Sequence, residues 1–342
     1  MEAVDATHRR TQVETAGQTL AGLDHELGSG SDAGLAAFPT GFVVLDELLG
    51  GGLHPGELLL LGGPPGVGKT ITALQWARQA AREGHRAVFA CYEHDPATLL
   101  LRLLALEIGE LDGDEALVQR LLLSLSGSGR RGRSLTDTLG DDPIGRAALT
   151  AVASYQERLV FVRASGSHTT LQDLNDVVMR TDNARGQRDT VLFVDYLQKI
   201  PLHPEPDTEA EKVTRTVEGL KDLALEHRVP IVLLSAVDAE GMRSSRLRLY
   251  HLRGSSAIAF ESDVVVMMNA KEKAVSKVHL SYDPVGAKRF RELVVFSVEK
   301  NRGGPNLVDL EFQKRFAHFR FDPEGGLVSE SLVDERLDEQ LI

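Results

Sequence analysis

The stretch LLLLGGPPGVGKT at residues 58–70 decides the fold of this chain. Its glycines, lysine and threonine occupy the fixed positions of the pattern G-x-x-x-x-G-K-T. Glycines let backbone N–H groups approach an anion, the lysine brings a positive charge to the β- and γ-phosphates, and the threonine hydroxyl is a ligand for Mg²⁺. The sequence therefore predicts a site for ATP and Mg²⁺, with the nucleotide held by Gly63, Pro64, Pro65, Gly66, Val67, Gly68, Lys69, Thr70 and Ile71.

The flanks of this loop support the prediction. The apolar run Leu58–Leu61 is typical of a buried strand, and Ile71–Arg82 has the periodicity of a helix. A glycine-rich turn that matches the pattern by chance is the alternative interpretation. The order strand, loop, helix disfavours that alternative, because it places the phosphates at the amino end of a helix.

Composition places limits on the class of protein. The chain has 342 residues, of which 42% are hydrophobic and 26% charged, as in ordinary globular domains. Its single cysteine, Cys91, excludes an intramolecular disulfide and indicates a reducing, cytoplasmic setting. We expect no membrane-spanning segment and no signal peptide, since no apolar run is long enough. The net charge of −12 disfavours a generally basic nucleic-acid surface but permits a local basic channel.

Strand-like apolar runs alternate with helical patterns between residues 38 and 321. This alternation predicts an α/β fold with a mostly parallel, twisted sheet flanked by helices. A final edge pair of strands is expected at Val308–Phe312 and Phe316–Phe321. The other expected strands are Glu57–Leu61, Val88–Tyr92, Leu159–Val162, Thr190–Val194, Pro230–Leu234, Asp263–Met268 and Leu293–Val298.

Three segments fall outside this alternation. Residues 1–36 predict a short helix and a flexible linker, and residues 323–342 an acidic tail to which we assign no role. Within the main domain, 37–322, the segment 124–145 has little periodicity and predicts a mobile surface insertion. The N-terminal helix carries an apolar stripe that could dock on its own chain or on a neighbouring subunit: Val13, Ala16, Leu20, Leu23 and Leu27.

Two acidic residues follow predicted strands. Asp195 ends the run 190–194, and an acid at the carboxyl end of a parallel strand faces the ligand crevice, where it can orient Mg²⁺ with Thr70. Glu93 directly follows the run 88–92, the position of the water-activating glutamate in P-loop ATPases of the RecA type. The alternatives are a turn aspartate and a solvated glutamate at a helix start.

Several motifs together resemble the C-terminal domains of DnaB-like replicative helicases, which are RecA-type ATPases. The resemblance covers about residues 37–322, and some features near the phosphate loop resemble the KaiC and RadA groups. The motifs are FPTGFVVLDELLGG at 38–51, the phosphate loop, Tyr92-Glu93, VDYLQ at 194–198, SSAIAFESDVVV at 255–266 and EKNRGGP at 299–305.

The resemblance implies roles that spacing alone does not. Lys69 and Glu93 are expected to act in catalysis within one subunit, while Lys300 and Arg302 reach into the site of a neighbouring subunit in a ring, most simply a hexamer. Single-stranded DNA is the implied partner, and the segment Asp238–Arg253 is the implied grip on its backbone. The predicted DNA-binding residues are Arg243, Arg246, Arg248 and Arg253; a solvated arginine-rich loop is the alternative.

Two departures from the family pattern affect the functional hypothesis. The family glutamine that senses the γ-phosphate is Ala236 here, so we expect that link to be missing or rerouted, with Ser235 and Asp238 as candidates. The helical domain that precedes the family ATPase is also missing from this sequence. We therefore predict an accessory DNA helicase or translocase. A KaiC- or RadA-like regulatory or recombination ATPase is the alternative.

Overall fold

A ten-stranded sheet forms the centre of the computed structural model, which describes residues 13–28, 36–124, 134–183, 189–254, 256–275 and 288–333. The order of strands across the sheet is β10-β8-β7-β6-β1-β5-β4-β2-β3, and β9 pairs with β8 outside this path. The strands are β1 (Leu58–Gly62), β2 (Arg86–Cys91), β3 (Leu159–Arg163), β4 (Thr190–Asp195), β5 (Ile231–Ser235), β6 (Val264–Ala270), β7 (Leu293–Asn301), β8 (Val308–Arg315), β9 (Arg320–Phe321) and β10 (Gly326–Leu327).

Six neighbouring strands, from β6 to β3 in the sheet order, are parallel. The strands β7, β8 and β10 extend one side of the sheet in antiparallel fashion. Every residue of β1, β4 and β5 is buried, as expected for parallel strands with both faces covered. The predicted α/β class with a mostly parallel sheet is thus confirmed.

Helices cover both faces of the sheet. Leu59 and Leu61 of β1 join a cluster with the helix that follows the phosphate loop, whereas Leu58 and Leu60 pack on the opposite face. Of the helices that the structure describes, none is both long and apolar enough to cross a membrane. They are α1 (Ala16–Gly28), α2 (Val43–Leu48), α3 (Lys69–Arg82), α4 (Pro96–Glu110), α5 (Glu115–Leu123), α6 (Leu135–Gly140), α7 (Pro143–Tyr155), α8 (Leu171–Asn183), α9 (Glu209–His227), α10 (Ala257–Glu261) and α11 (Lys271–Ala274).

The N-terminal helix α1 exposes its apolar stripe to solvent. Leu20 is 61% exposed and Leu27 is 69% exposed, so these side chains do not pack on the sheet domain of the same chain. The helix was expected to dock either on its own chain or on a neighbouring subunit, and the described residues do not show docking on its own chain.

The prediction of an irregular insertion at 124–145 is wrong from Ser134 onward. Ser134 and Asp137 form a capping box at the start of α6, and Asp142 caps α7. Leu139 is fully buried in a cluster with residues of α4 and α5. Ser134, Asp137 and Asp142, which contributed to the prediction of a loop, are thus helix caps, whereas residues 125–133 lie outside the described part of the chain.

The C-terminal edge also differs from the prediction. Instead of a strand at 316–321, residues Phe316–His318 form a turn of 3₁₀ helix, and β9 has only two residues. Phe319 adopts a left-handed backbone with φ of 48°, which ends any extended strand at that point. The edge strand that pairs with β8 is β10, at Gly326–Leu327.

The segment after residue 322 is attached to the domain. Glu330 lies 2.6 Å from the ammonium group of Lys271, which is fully buried and also pairs with Glu311. Val333 N donates to Ala274 O over 2.7 Å. The part of the predicted tail that the structure describes therefore closes one end of the sheet.

Candidate active site

The phosphate loop joins the carboxyl end of β1 to the first turn of α3. Gly66 and Gly68 have φ of 78° and 109°, a backbone region that favours glycine. A Cβ on Gly68 would lie 2.6 Å from Cζ of Phe321, so no larger residue fits there without movement. Val67 is buried beneath the loop, and the loop's N–H groups and the helix terminus form a site for an anion.

Lys69 lies at the centre of this loop. Its Nζ donates to the carbonyl oxygens of Gly63 and Pro64 over 2.7 and 3.1 Å. Burial lowers the pKa of Lys69, an effect that the nearby carboxylates Asp195 and Glu93 oppose. The ammonium group is thus held in the loop, where a phosphate would provide it with a stronger, ionic partner.

Thr70 and Asp195 supply paired oxygen atoms on one side of the cavity. Thr70 Oγ1 donates to Asp195 Oδ2 over 2.7 Å, and Asp195 is the last residue of β4. Burial raises the pKa of Asp195 to about 6, with Glu93 adding to the increase and the Thr70 hydrogen bond opposing it. A hydroxyl and a carboxylate at this distance fit Mg²⁺, which prefers oxygen ligands.

Glu93 is placed beside Asp195 by the register of the sheet. Cys91 of β2 lies opposite Asp195 of β4, and Tyr92 N donates to Asp195 O over 2.7 Å. The chain then turns, which puts Glu93 on the wall of the same cavity as Lys69. The predicted phosphate, metal and water-activating residues are therefore brought together.

The cavity that they line has a volume of about 550 Å³. Its remaining wall includes residues that sequence reasoning missed: Arg102, His94, Tyr196, Phe316 and Phe319. The Arg102 guanidinium lies 5.6 Å from the centre of the Phe319 ring, and burial lowers its pKa. Arg102 is the one basic residue within α4. An arginine among leucines is the feature of the sequence that could have identified it as a candidate site residue.

Ala236 lies on the cavity wall. Ser235 ends β5 next to Gly62 of β1, so residue 236 follows at the level of the phosphate loop. The amide group near this point comes from Gln198: its Oε1 accepts from Ala236 N over 3.4 Å and its Nε2 donates to Ser235 Oγ over 3.0 Å.

Lys300 and Arg302 lie at the amino ends of the parallel strands, the end of the sheet opposite to the phosphate loop. Strand β7 runs antiparallel to β6, and Asn301 pairs with Val264, the first residue of β6. Lys300 Nζ donates to the carbonyl oxygens of Ala259 and Ser262 at the end of α10, while Arg302 pairs with Asp263 over 3.1 Å. The phosphate loop follows the other end of the parallel strands, so these two cations do not reach the cavity of their own chain.

The structure corrects the predicted DNA-binding loop at two positions. Arg246 is 8% exposed and pairs with Asp309 over 2.7 Å, and Arg248 pairs with Glu299 over 2.9 Å. The buried guanidinium of Arg246 does not present itself to a phosphate backbone, and the ion pair of Arg248, whose side chain is 20% exposed, competes with such a contact.

The other two arginines of that loop remain accessible. Arg243 is exposed, and the side chain of Arg253 is half exposed. Arg253 also pairs with Glu209, the first residue of α9, over 2.7 Å.

Comparison with known proteins supports the family resemblance. The family model for the DnaB-like helicase C terminal domain matches residues 37–321. Replicative DNA helicase DnaB of Leifsonia xyli subsp. xyli is 27% identical over 308 residues, which cover 88% of this chain and 59% of that protein. The corresponding helicase of Treponema pallidum is 29% identical over 289 residues, covering 83% and 56%. The chain thus spans less than two thirds of the length of these relatives.

A solved ATPase domain superposes with a TM-score of 0.71 at 18% identity, covering 91% of this chain and 99% of that one. At this identity the likeness concerns the fold, and it confirms the predicted RecA-like architecture. A solved DnaB-like replicative helicase, described with its primase interactions, gives a TM-score of 0.66 at 18% identity. Since the family match extends over most of the sequence, this chain belongs to the DnaB-like helicase C-terminal domain family.

Proposed function

We propose that this chain hydrolyses ATP and that, assembled into a ring, it couples hydrolysis to movement along single-stranded DNA. The observation that carries the proposal is the convergence of Lys69, Thr70, Glu93 and Asp195 on one cavity within a DnaB-like domain. An accessory role, and a hexamer as the ring, remain part of this proposal.

Each residue has a role in the proposed reaction. The Lys69 ammonium and the N–H groups of the loop bind the β- and γ-phosphates, and the Glu93 carboxylate accepts the proton of the attacking water. Thr70 and Asp195 would hold Mg²⁺, which when bound neutralises charge on the phosphate oxygens. Arg102 adds a second cation, and the rings of Phe316 and Phe319 offer flat apolar surfaces to the nucleobase.

The remaining cations are proposed to act on a neighbouring subunit. Lys300 and Arg302 are separated from their own phosphate loop by the length of β1, roughly 15 Å for five extended residues. A guanidinium supplied across an interface stabilises charge on the transferred phosphoryl group only in the assembled ring. This arrangement would make hydrolysis depend on assembly.

For DNA, we propose that Arg243 and Arg253 contact the phosphate backbone. Both side chains are accessible, and contacts of this kind bind without reading sequence.

The test is ATP turnover with and without single-stranded DNA, measured together with the native mass. In wild type we expect DNA to stimulate ATP turnover several-fold at low salt. Lys69→Ala should abolish turnover itself. The double variant Arg243→Ala, Arg253→Ala should keep turnover but lose its stimulation by DNA. The double variant Arg291→Ala, Arg315→Ala removes the same charge from exposed positions elsewhere and should behave as wild type. Turnover that ignores DNA would contradict the translocase proposal.

A second candidate is an ATP-gated regulatory or recombination ATPase related to KaiC and RadA. The alanine at position 236 and the internal ion pairs of Arg246 and Arg248 favour it, because both weaken a direct link between nucleotide and DNA. It predicts ATP-dependent assembly without stimulation by DNA. A strand-displacement assay on forked DNA separates a recombination factor from an unwinding helicase.

A further inference from the structure

Gln198 joins three segments that meet beside the nucleotide cavity. It lies in the turn Leu197–Lys199, directly after Asp195 and Tyr196. Its Nε2 donates to Ser235 Oγ and to Arg253 O, both over 3.0 Å, and its Oε1 accepts from Ala236 N over 3.4 Å. Because a primary amide carries both donors and acceptors, this one side chain links the ends of β4 and β5 to the base of the loop formed by residues 238–254, which we call the arginine loop.

Each linked segment leads to a different part of the molecule. Asp195 belongs to the candidate metal site, and Ala236 forms part of the cavity wall. Arg253 N donates to Ala236 O over 3.0 Å, and a bridge between Val237 and Leu252 closes the loop 238–251 at its base. The side chain of Gln198 therefore connects the segment that follows Asp195 to the base of this loop.

The side chain of Arg253 is able to respond to a displacement at the base of this loop. Its partner Glu209 is itself about half exposed, and ion pairs between solvated groups are weak. The backbone carbonyl of Arg253, in contrast, is held by the amide of Gln198. The position of that carbonyl sets where the guanidinium can reach.

We propose that Gln198 is a positioning residue that couples the state of the nucleotide site to the arginine loop, residues 238–254, and so to the orientation of Arg253. The proposal rests on the proposed function, since it assumes that nucleotide binds at Lys69 and Asp195. The residue at 236 has no hydrogen-bonding side chain, and the amide of Gln198 occupies the place where cavity wall and loop meet. Coupling of this kind requires a contact that differs between two states of the site.

The test uses two substitutions and a control in the full chain. Gln198→Ala removes the link, whereas Gln198→Glu keeps an acceptor for Ala236 N and, being ionised, loses the donor to Arg253 O. Gln172→Ala is the control, because that amide donates to Asp176 on the exposed side of α8, away from the loop 238–254. Hydrogen exchange of peptides within 238–254 is compared between Mg-ADP and Mg²⁺ with a non-hydrolysable ATP analogue, and ATP turnover is measured with and without single-stranded DNA.

We expect wild type and Gln172→Ala to show a nucleotide-dependent difference in exchange at 238–254, and both Gln198 variants to lose it. The several-fold stimulation of turnover by DNA should be lost in both Gln198 variants, while nucleotide binding and basal turnover are retained. Loss of nucleotide binding in both variants would indicate a merely structural role and overturn the proposal.

The proposal and the proposed function can fail separately. If wild-type turnover ignores DNA, the translocase function fails, but the exchange measurement still decides the role of Gln198 because it needs no DNA. A nucleotide-dependent exchange difference that persists in Gln198→Ala overturns the coupling, as does the absence of any such difference in wild type.

Discussion

At the scale of the residue, the burial of Asp195, our proposed ligand for Mg²⁺, lowers folding stability at neutral pH. The side chain is 2% exposed, and burial raises its pKa to about 6 from an ordinary value of 3.8. The metal-free native state therefore binds a proton more tightly than the unfolded chain does. The protonated form of Asp195 thus stabilises the native state relative to the ionised form. This stabilisation is fully present below about pH 4 and is lost as the pH rises through about 6.

Replacing Asp195 with asparagine should separate the two effects. In buffer that contains a chelator at pH 8, we expect Asp195→Asn to raise the free energy of unfolding by up to about 3 kcal/mol, because no charge is buried. The same variant should lose Mg²⁺-dependent ATP binding. Urea unfolding at pH 4 and pH 8 measures the first effect, with Asp222→Asn at an exposed position of α9 as control. A gain that is equal at both pH values would contradict the assignment of the cost to ionisation.

Glu93 should be needed for turnover but not for binding. Since general-base catalysis typically contributes about 10²- to 10⁴-fold, we expect Glu93→Gln to lower ATP turnover by a factor in this range. ATP affinity, measured with a fluorescent analogue, should change little because the amide keeps the shape of the side chain. Glu83→Gln, at the exposed end of α3, should have wild-type activity. Wild-type turnover in Glu93→Gln would show that another group activates the water.

At the scale of the element, the ends of the buried strands were the most predictable part of the molecule. Asp195 was identified because an acid at the carboxyl end of a buried parallel strand faces the ligand crevice. Glu93 was identified because it has the position of the water-activating glutamate in RecA-type ATPases. The ion pairs of Arg246 and Arg248 were not predictable, because their partners Asp309 and Glu299 lie on antiparallel strands far along the chain. A sequence shows how many charges a loop carries, but not which of them the fold neutralises.

The predicted domain boundary after residue 322 can be tested through another ion pair, that of Lys271 with Glu330. A chain that ends at 322 lacks β10 and Glu330, which leaves the buried Lys271 with Glu311 as its remaining carboxylate in the described structure. Breaking a buried ion pair typically costs about 3 to 5 kcal/mol, and the partial exposure of Glu330 places our expectation at the lower end. Urea unfolding should show this loss of stability for the chain that ends at 322. A chain that ends at 333 should have a free energy of unfolding close to that of the full-length chain.

At the scale of the whole molecule, the direction of the strands divides the proposed active site between two chains. The phosphate loop follows the carboxyl end of β1, whereas Lys300 and Arg302 lie at the amino end of the neighbouring β6. The surface near Arg302 includes exposed apolar side chains, Phe260 at 69% and Leu307 at 67%. A head-to-tail contact would bring this surface to the cavity of the next subunit, and repetition of that contact would give the proposed ring where the rotation between subunits closes.

Arg302 therefore offers a test of the assembled site. Arg302→Ala should leave ATP binding intact and lower turnover by roughly 10³-fold or more if the guanidinium acts as a finger in trans. The fold should tolerate the change, since Asp263 keeps its ion pair with Lys221 at 2.7 Å. Arg291→Ala, at a side chain that is 76% exposed, is the matched control.

Mixed rings then distinguish action in trans from a local structural effect. Arg302→Ala subunits keep Glu93, and Glu93→Gln subunits keep Arg302. An equal mixture should therefore contain about a quarter of interfaces with an intact cavity facing an intact finger, if subunits assort at random around a head-to-tail ring. Turnover in the mixture should therefore exceed the strongly lowered turnover of either variant alone. If mixing restores nothing while native mass shows mixed rings, Arg302 does not act across the interface, and the two edges of the sheet do not form one active site.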